Sequence, residues 1–286
     1  MLVALATAAT GVLACACGAS AGPNAAQQTP AAAASPSTAR PTATHADPAA
    51  THADPPASSA RPAPSAAALP LAGKIVGIDP GHNGGNFSDP GYLSQQIWNG
   101  RASENCDTTG TETDAGYTEA LFNFRVASFL RADLVHDGAR VVLTRTSNGG
   151  VGPCVNTRST IINGGHANVA VDIHADGGPA GGRGFAILEP IADGPNNAVI
   201  TSSAQLGSDI RQAFLNGTSM PVSTYDGVNG IAQRDDLAGL NLTTVPKVLI
   251  EIGNMRNATD AVLLTSTVFQ EQIARALEAA IIRLLS

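Results

Sequence analysis

From Lys74 to the C-terminus, short apolar runs alternate with segments of helical period, and this alternation limits the fold more than any other feature of the chain. Lys74 to Asp79, Arg140 to Thr144, Val169 to His174, Gly184 to Leu188 and Val245 to Ile252 are short and rich in Val and Ile, and read as strands. Between the first two, Glu119 to Asp137 places Leu121, Phe124, Leu130 and Leu134 on one helical face, with Val126, Ala127 and Phe129 adding to it. Asp114 or Thr118 is a candidate cap for that helix and Gly138 a stop. Further helices are predicted over Thr157 to Asn163, Ser202 to Leu215, Asp260 to Leu264 and Val268 to Leu284. Strand and helix in alternation predict a single α/β domain with a mostly parallel, or mixed, central sheet flanked by helices.

The stretch from Asn83 to Gly116 lacks this alternation. It is rich in Gly, Asn, Asp, Ser and Thr and reads as a long irregular insertion. Residues 19–72 are dominated by Ala, Pro, Ser and Thr. They carry too little apolar surface to offset their ordering entropy, so a disordered linker is expected there. A pentad, Thr44 to Pro48, recurs at Thr51 to Pro55, far too short for a structural repeat. Residues 73–286 suffice for one domain with a sizeable core.

Residues 1–18 resemble the apolar and cleavage regions of an export signal, although no Lys or Arg precedes Arg40. Val12-Leu-Ala-Cys15 resembles a bacterial lipobox, which would anchor the chain through a lipid on Cys15. Cleavage after Ala16 or Ala21 by an ordinary signal peptidase is the competing reading. Export to a periplasmic or cell-wall location is expected either way. Cys106 and Cys154 are the cysteine pair of the domain, and in an exported protein an isolated pair suggests a disulfide. A two-cysteine metal site is the alternative, without a Cys-x-x-Cys spacing to support it. The formal net charge of −7 argues against a nucleic-acid partner.

Chemistry-bearing residues gather at predicted strand ends. Ile78-Asp-Pro-Gly-His82 closes the first strand on a turn that displays a histidine. His174 ends the third strand, Glu251 lies in the last, and Glu119 opens the long helix. Ligands of open α/β sheets bind at the C-terminal strand edge. Two imidazoles and one carboxylate suit zinc with a position left for water, and a second carboxylate can take a proton from that water. Each residue also has an ordinary reading: a hydrogen-bonded surface histidine at 82, a helix-start acid at 119, a strand-end cap at 174. Glu251 is the hardest to explain so, because it interrupts Val248-Leu-Ile-Glu-Ile252, where an unpaired charge is costly. His136 fits a helix C-terminus, His45 and His52 fall in the linker, and His166 is a reserve candidate. Neither a Gly-x-Ser-x-Gly elbow nor a phosphate-binding loop occurs in the sequence.

The ordered series Asp79-Pro-Gly-His82, Glu119-Ala-Leu-Phe-Asn123, Val142-Leu-Thr-Arg145, Arg158, Val171-Asp-Ile-His-Ala175 and Val248-Leu-Ile-Glu-Ile-Gly-Asn-Met255 with Asn257 resembles the zinc-dependent N-acetylmuramoyl-L-alanine amidases of the amidase-3 family. The segment Arg234 to Leu242 is most similar to the mycobacterial and actinobacterial branch. The resemblance implies zinc held by His82, Glu119 and His174, Glu251 as the catalytic acid–base, and cleavage of the amide between N-acetylmuramic acid and L-alanine in peptidoglycan or muropeptide fragments, by a monomer. Asp172, Asp176 and Asn254 stand where many relatives carry Ser, Asn and Phe, which bears on substrate preference. The rival readings are a zinc peptidase acting on another bond of the stem peptide, a non-catalytic wall-binding module and a structural exported protein.

Overall fold

The structure, a computed structural model, describes residues 69–286. The expected export signal with Cys15, and the linker up to residue 68, lie outside the described residues.

Six strands form one sheet: β1 (Ile75–Pro80), β4 (Arg140–Leu143), β5 (Val169–Asp176), β6 (Ala186–Pro190), β7 (Ile231–Arg234) and β8 (Lys247–Asn254), in the order β4-β1-β5-β8-β6-β7. Neighbours are parallel except β6 against β8, so the sheet is mostly parallel and mixed. Register ties Asp79 to Asp172, and His174 to Glu251. Because successive side chains point to opposite faces, that register puts Asp79, Asp172, His174, Lys247, Leu249 and Glu251 on one face. Val76, Ile78, Val171, Ile173, Val248, Ile250 and Ile252 fall on the other, in the main core.

That apolar face is covered by α2 (Glu119–His136), α4 (Ile200–Gly217) and α7 (Thr267–Leu285). Phe269, Ile273, Leu277 and Ile281 of α7 recur every fourth residue and are buried. On α2 the buried stripe is Phe122, Val126, Leu130 and Leu134. Leu121 and Phe124, expected on that face, lie at its flank, where Phe124 instead carries the Arg145 guanidinium 5.1 Å from its ring centre. Two apolar stripes compete on this helix, and packing against the sheet and α7 selects between them.

The polar face is covered more lightly, by α3 (Val155–Gly164) and α5 (Ala238–Asn241). Gly77 permits the approach of α3: a Cβ there would lie 2.7 Å from Ile162. Asn83 to Gly116 is built rather than irregular. It contains α1 (Pro90–Leu93) and a hairpin of β2 (Gln96–Trp98) and β3 (Ser103–Asn105). Three- and four-residue elements leave no detectable periodicity, and here side-chain bonds and a covalent link hold them. Asn99 accepts from the backbone of Arg101 and Ala102 at the hairpin turn, and Cys106 is disulfide-bonded to Cys154. β7 and α5 also escape the sequence reading for their brevity. At the start of the domain, Leu71 is fully buried and its N–H bonds Asp137 O, so the fold takes in residues at the end of the compositional linker.

Candidate metal and acid–base site

The turn after β1 presents His82 in a left-handed conformation, φ +56°. For a non-glycine residue this costs roughly 1–2 kcal/mol, so the surroundings must impose it. Two buried arginines do so. Arg145 donates to the carbonyls of Pro80 and Gly81 at 2.8 and 3.2 Å, and to Ala120 O at 2.7 Å. Arg158 donates to Pro80 O and His82 O, both at 2.8 Å. Between them, Gly81 leaves room for a ring: a Cβ at that position would overlap the His174 imidazole.

Three expected residues converge here. Glu119 Oε1 lies 3.3 Å from His82 Nε2 and 2.8 Å from His174 Nδ1. One ligand atom from each of His82, Glu119 and His174 falls within 4.8 Å of the others. The two rings meet edge to face, 4.9 Å between centres. Glu119 is buried and its orientation is fixed by donors: Thr111 N to Oε2 at 3.0 Å, and Asn123 Nδ2 and Ala175 N to Oε1, both at 3.3 Å.

A second layer sets the rings. His82 Nδ1 lies 3.1 Å from Asp107 Oδ1 and 3.2 Å from Thr108 O. A carbonyl can only accept, so Nδ1 carries a proton, and Nε2, facing Glu119, is the nitrogen that would bind a metal. His174 Nε2 lies 3.3 Å from Asp172 Oδ1, which leaves Nδ1 toward Glu119. Outer carboxylates of this kind fix the tautomer of metal-bound histidines. They are themselves neutralised in the interior. Lys247 Nζ bridges Asp79 at 2.8 Å and Asp172 at 3.1 Å, and Arg158 bridges Asp79 at 3.1 Å and Asp107 at 3.3 Å. Burial opposes the charge on Asp79, but Lys247 and Arg158 overcome it and hold the carboxyl well below its usual range. Asp107 and Lys247 were not singled out in the sequence. The available signal was a lysine at the head of an apolar strand, at the same parity as Glu251.

The triad's own electrostatics follow from the same closeness. Burial pushes the His82 ring down, yet Glu119 and Asp107 raise it to about 9. Burial likewise disfavours the His174 cation, and Asp172 with Glu119 reverses this and raises it well above normal. Glu119 is held well below its usual value by the two rings, against burial. The carboxylates around both imidazoles thus favour positive charge at this point, the same electrostatics that would favour a bound metal cation.

Glu251 stands next to His174 across the β5–β8 register. Its Oε2 is buried and has no hydrogen-bond partner. Burial raises its carboxyl to about 8, with Glu119 and Asp176 adding to the shift and His174 and His82 opposing it. A buried carboxyl oxygen left without a partner, beside two imidazoles and a second carboxylate, Glu119, fits a site completed by a cation and water. His166, the reserve candidate, is exposed in the turn before β5, at the opposite strand end from His174. His136 is exposed at the end of α2, paired with Asp137 at 3.0 Å.

Beside the triad lies a cavity of about 370 Å³, lined by His82, His174, residues of the β3 segment, and Val155, Leu237 and Leu249.

The chain is similar to proteins of one known family. The family model for N-acetylmuramoyl-L-alanine amidase matches residues 76–283. An N-acetylmuramoyl-L-alanine amidase of Mycobacterium tuberculosis is 39% identical over 216 residues, 74% of this chain and 88% of that protein. The crystal structure of the N-acetylmuramyl-L-alanine amidase Ami1 from Mycobacterium smegmatis is 38% identical with a TM-score of 0.71, over 75% of this chain and 98% of that one. The apo form of Ami1 from Mycobacterium abscessus gives the same identity and TM-score over 76% and 100%.

Proposed function

Since the chain belongs to the N-acetylmuramoyl-L-alanine amidase family, we propose that it hydrolyses the amide between N-acetylmuramic acid and L-alanine of the peptidoglycan stem, using a zinc ion held by His82, Glu119 and His174 and a proton carried by Glu251. The observation that carries this reading is the unpartnered, buried Oε2 of Glu251 beside three convergent ligand atoms. When bound, zinc would supply Lewis-acid polarisation of the scissile carbonyl and favour deprotonation of a neighbouring water.

The chain's own groups supply the rest. Glu251 accepts the proton of the attacking water. It then delivers that proton to the alanine nitrogen as the C–N bond breaks, because an amine anion is a very poor leaving group. Burial raises the Glu251 carboxyl in the metal-free site, and a cation bound beside it would favour the carboxylate, the form that accepts the proton. Asp107 and Asp172 keep the histidine lone pairs aimed at one point, and Arg145 with Arg158 holds the β1 turn rigid, so little reorganisation is needed during reaction.

This reading places the protein outside the cytoplasm, where its substrate lies, whether it is released or anchored through Cys15. Mass spectrometry of products from purified muropeptides tests it. The amidase releases an intact stem peptide with a free L-alanine amine. A zinc peptidase would instead leave shortened stems attached to the sugar, and a binding module would leave the muropeptides whole.

A further inference from the structure

The insertion of residues 83–116 has little apolar substance of its own. Leu93 and Cys106 are its buried apolar side chains, while Phe87 and Trp98 are exposed. Yet it supplies Asp107, whose Oδ1 lies 3.1 Å from His82 Nδ1. A segment with so few buried apolar contacts opens locally at small cost, and packing alone does not hold a carboxylate in place there.

The disulfide lies at this weak point. Cys106 immediately precedes Asp107, and its partner Cys154 is the N-cap of α3. Beside the bridge, Val155 N donates to Cys106 O at 2.8 Å. One helical turn further on, Arg158 Nη2 donates to Asp107 Oδ2 at 3.3 Å and to His82 O at 2.8 Å. Asp107 and Arg158 both touch His82, and each is anchored within one turn of a bridged sulfur. Without the bridge, the ties left on this side are polar. Asn86 Nδ2 donates to Asp107 Oδ2 at 3.2 Å, and Cys106 N donates to the carbonyl of the exposed Gln95 at 2.8 Å.

We propose that the Cys106–Cys154 disulfide is a positioning element of the metal site: it fixes Asp107 and Arg158 behind His82, so that tight zinc binding requires the oxidised chain. Zinc loading is thereby coupled to arrival in an oxidising compartment, where such bridges form. The inference rests on the zinc reading of the same site. Neither cysteine is a ligand, and neither takes part in proton transfer.

The test measures zinc affinity by chelator competition on three metal-free proteins: the oxidised chain, the same chain reduced by a phosphine, and the Cys106→Ala/Cys154→Ala variant. The phosphine gives two electrons to the bridge and becomes its oxide, water supplies the oxygen and the two thiol protons, and the reagent is removed before titration. The alanine pair excludes the freed thiols as zinc ligands of their own. Thermal melts establish that each protein is folded at the assay temperature. Both bridge-less forms should bind zinc roughly 10–100-fold more weakly, the size expected for loss of an outer partner of a ligand histidine. Reoxidation should restore the affinity of the reduced chain. In an Asp107→Ala background, removing the bridge should change the affinity by less than about threefold, because the group it positions is gone. Where the alanine pair does not fold, the reduced chain, which keeps both sulfurs, decides. A bridge that only stabilises the fold would leave the zinc affinity of the folded protein unchanged, and that result overturns the inference. So does the same loss on removing the bridge with and without Asp107. If the oxidised chain binds no zinc, the zinc reading itself has failed; if all three forms bind it equally, only the role of the disulfide has.

Discussion

Lys247→Met is the substitution that most directly probes the layer behind the site. Lys247 is 1% exposed and its ammonium bridges Asp79 at 2.8 Å and Asp172 at 3.1 Å. Methionine keeps the length of the side chain and removes the charge. Asp79 then retains Arg158 and Thr144, while Asp172 loses its cation and faces only the His174 ring. Breaking a buried pair by removing one partner costs about 3–5 kcal/mol. For a domain of this size that lowers the melting temperature by roughly 6–20 °C. The sign with pH follows from Asp79, whose carboxyl is depressed in the folded state. Its stabilisation is present above its unfolded value, near 4, and is lost as pH falls toward the folded one. Lysine supplies much of that depression, so the gap between wild type and variant should be full near neutral pH and narrow below about pH 4. A released Asp172 also orients His174 less firmly, so zinc affinity should drop by about 10–100-fold. Thermal melts across pH on metal-free protein, with a zinc titration on the same samples, read all of this. A variant within about 1 kcal/mol of wild type at pH 7 would refute the view that this lysine neutralises the second layer.

Replacing Cys106 and Cys154 together by serine should destabilise the domain by about 4 kcal/mol in the chain-entropy account of a closed loop of this length, measured by urea unfolding; a change near zero would mean that the hairpin's side-chain anchors suffice. Zinc binding at pH 7 should release about two protons, since His82 and His174 are both raised in the metal-free site; calorimetry in buffers of different ionisation heat counts them, and release of none would contradict the ligand assignment. His174→Ala should lose zinc at stoichiometric loading while remaining folded, and full zinc content in that variant would remove His174 from the ligand set.

The sequence made the site legible because its key residues break local patterns. Glu251 interrupts an apolar strand, and His82 follows a Pro-Gly turn at a strand end. His174 and Glu251 then meet because the parallel register aligns them, as the strand reading allowed. The second layer was not legible. Asp107 sits in a polar insertion where nothing distinguishes it from its neighbours, and its importance arises only from long-range contact with Arg158. Lys247 looks like an ordinary strand-start lysine until the sheet register brings it beside Asp79 and Asp172. The hairpin of residues 96–105 is held by a disulfide and by side-chain bonds to distant loops, which leave no periodic trace in the chain. On α2 the apolar residues admitted two faces, and the contact with α7 and the sheet decided between them.

The central claim is that a metal-bound site cleaves the lactyl–alanine amide with Glu251 moving the proton. Glu251→Gln keeps the size of the side chain and removes its proton transfer, and Glu251 is not among the three proposed ligands. Zinc content, melting temperature and release of intact stem peptide from muropeptides should be measured on one preparation of this variant. The account predicts wild-type zinc content, a folded protein, and turnover reduced by roughly 10²-fold or more. A folded, zinc-loaded Glu251→Gln protein that turns over at a near wild-type rate would contradict it.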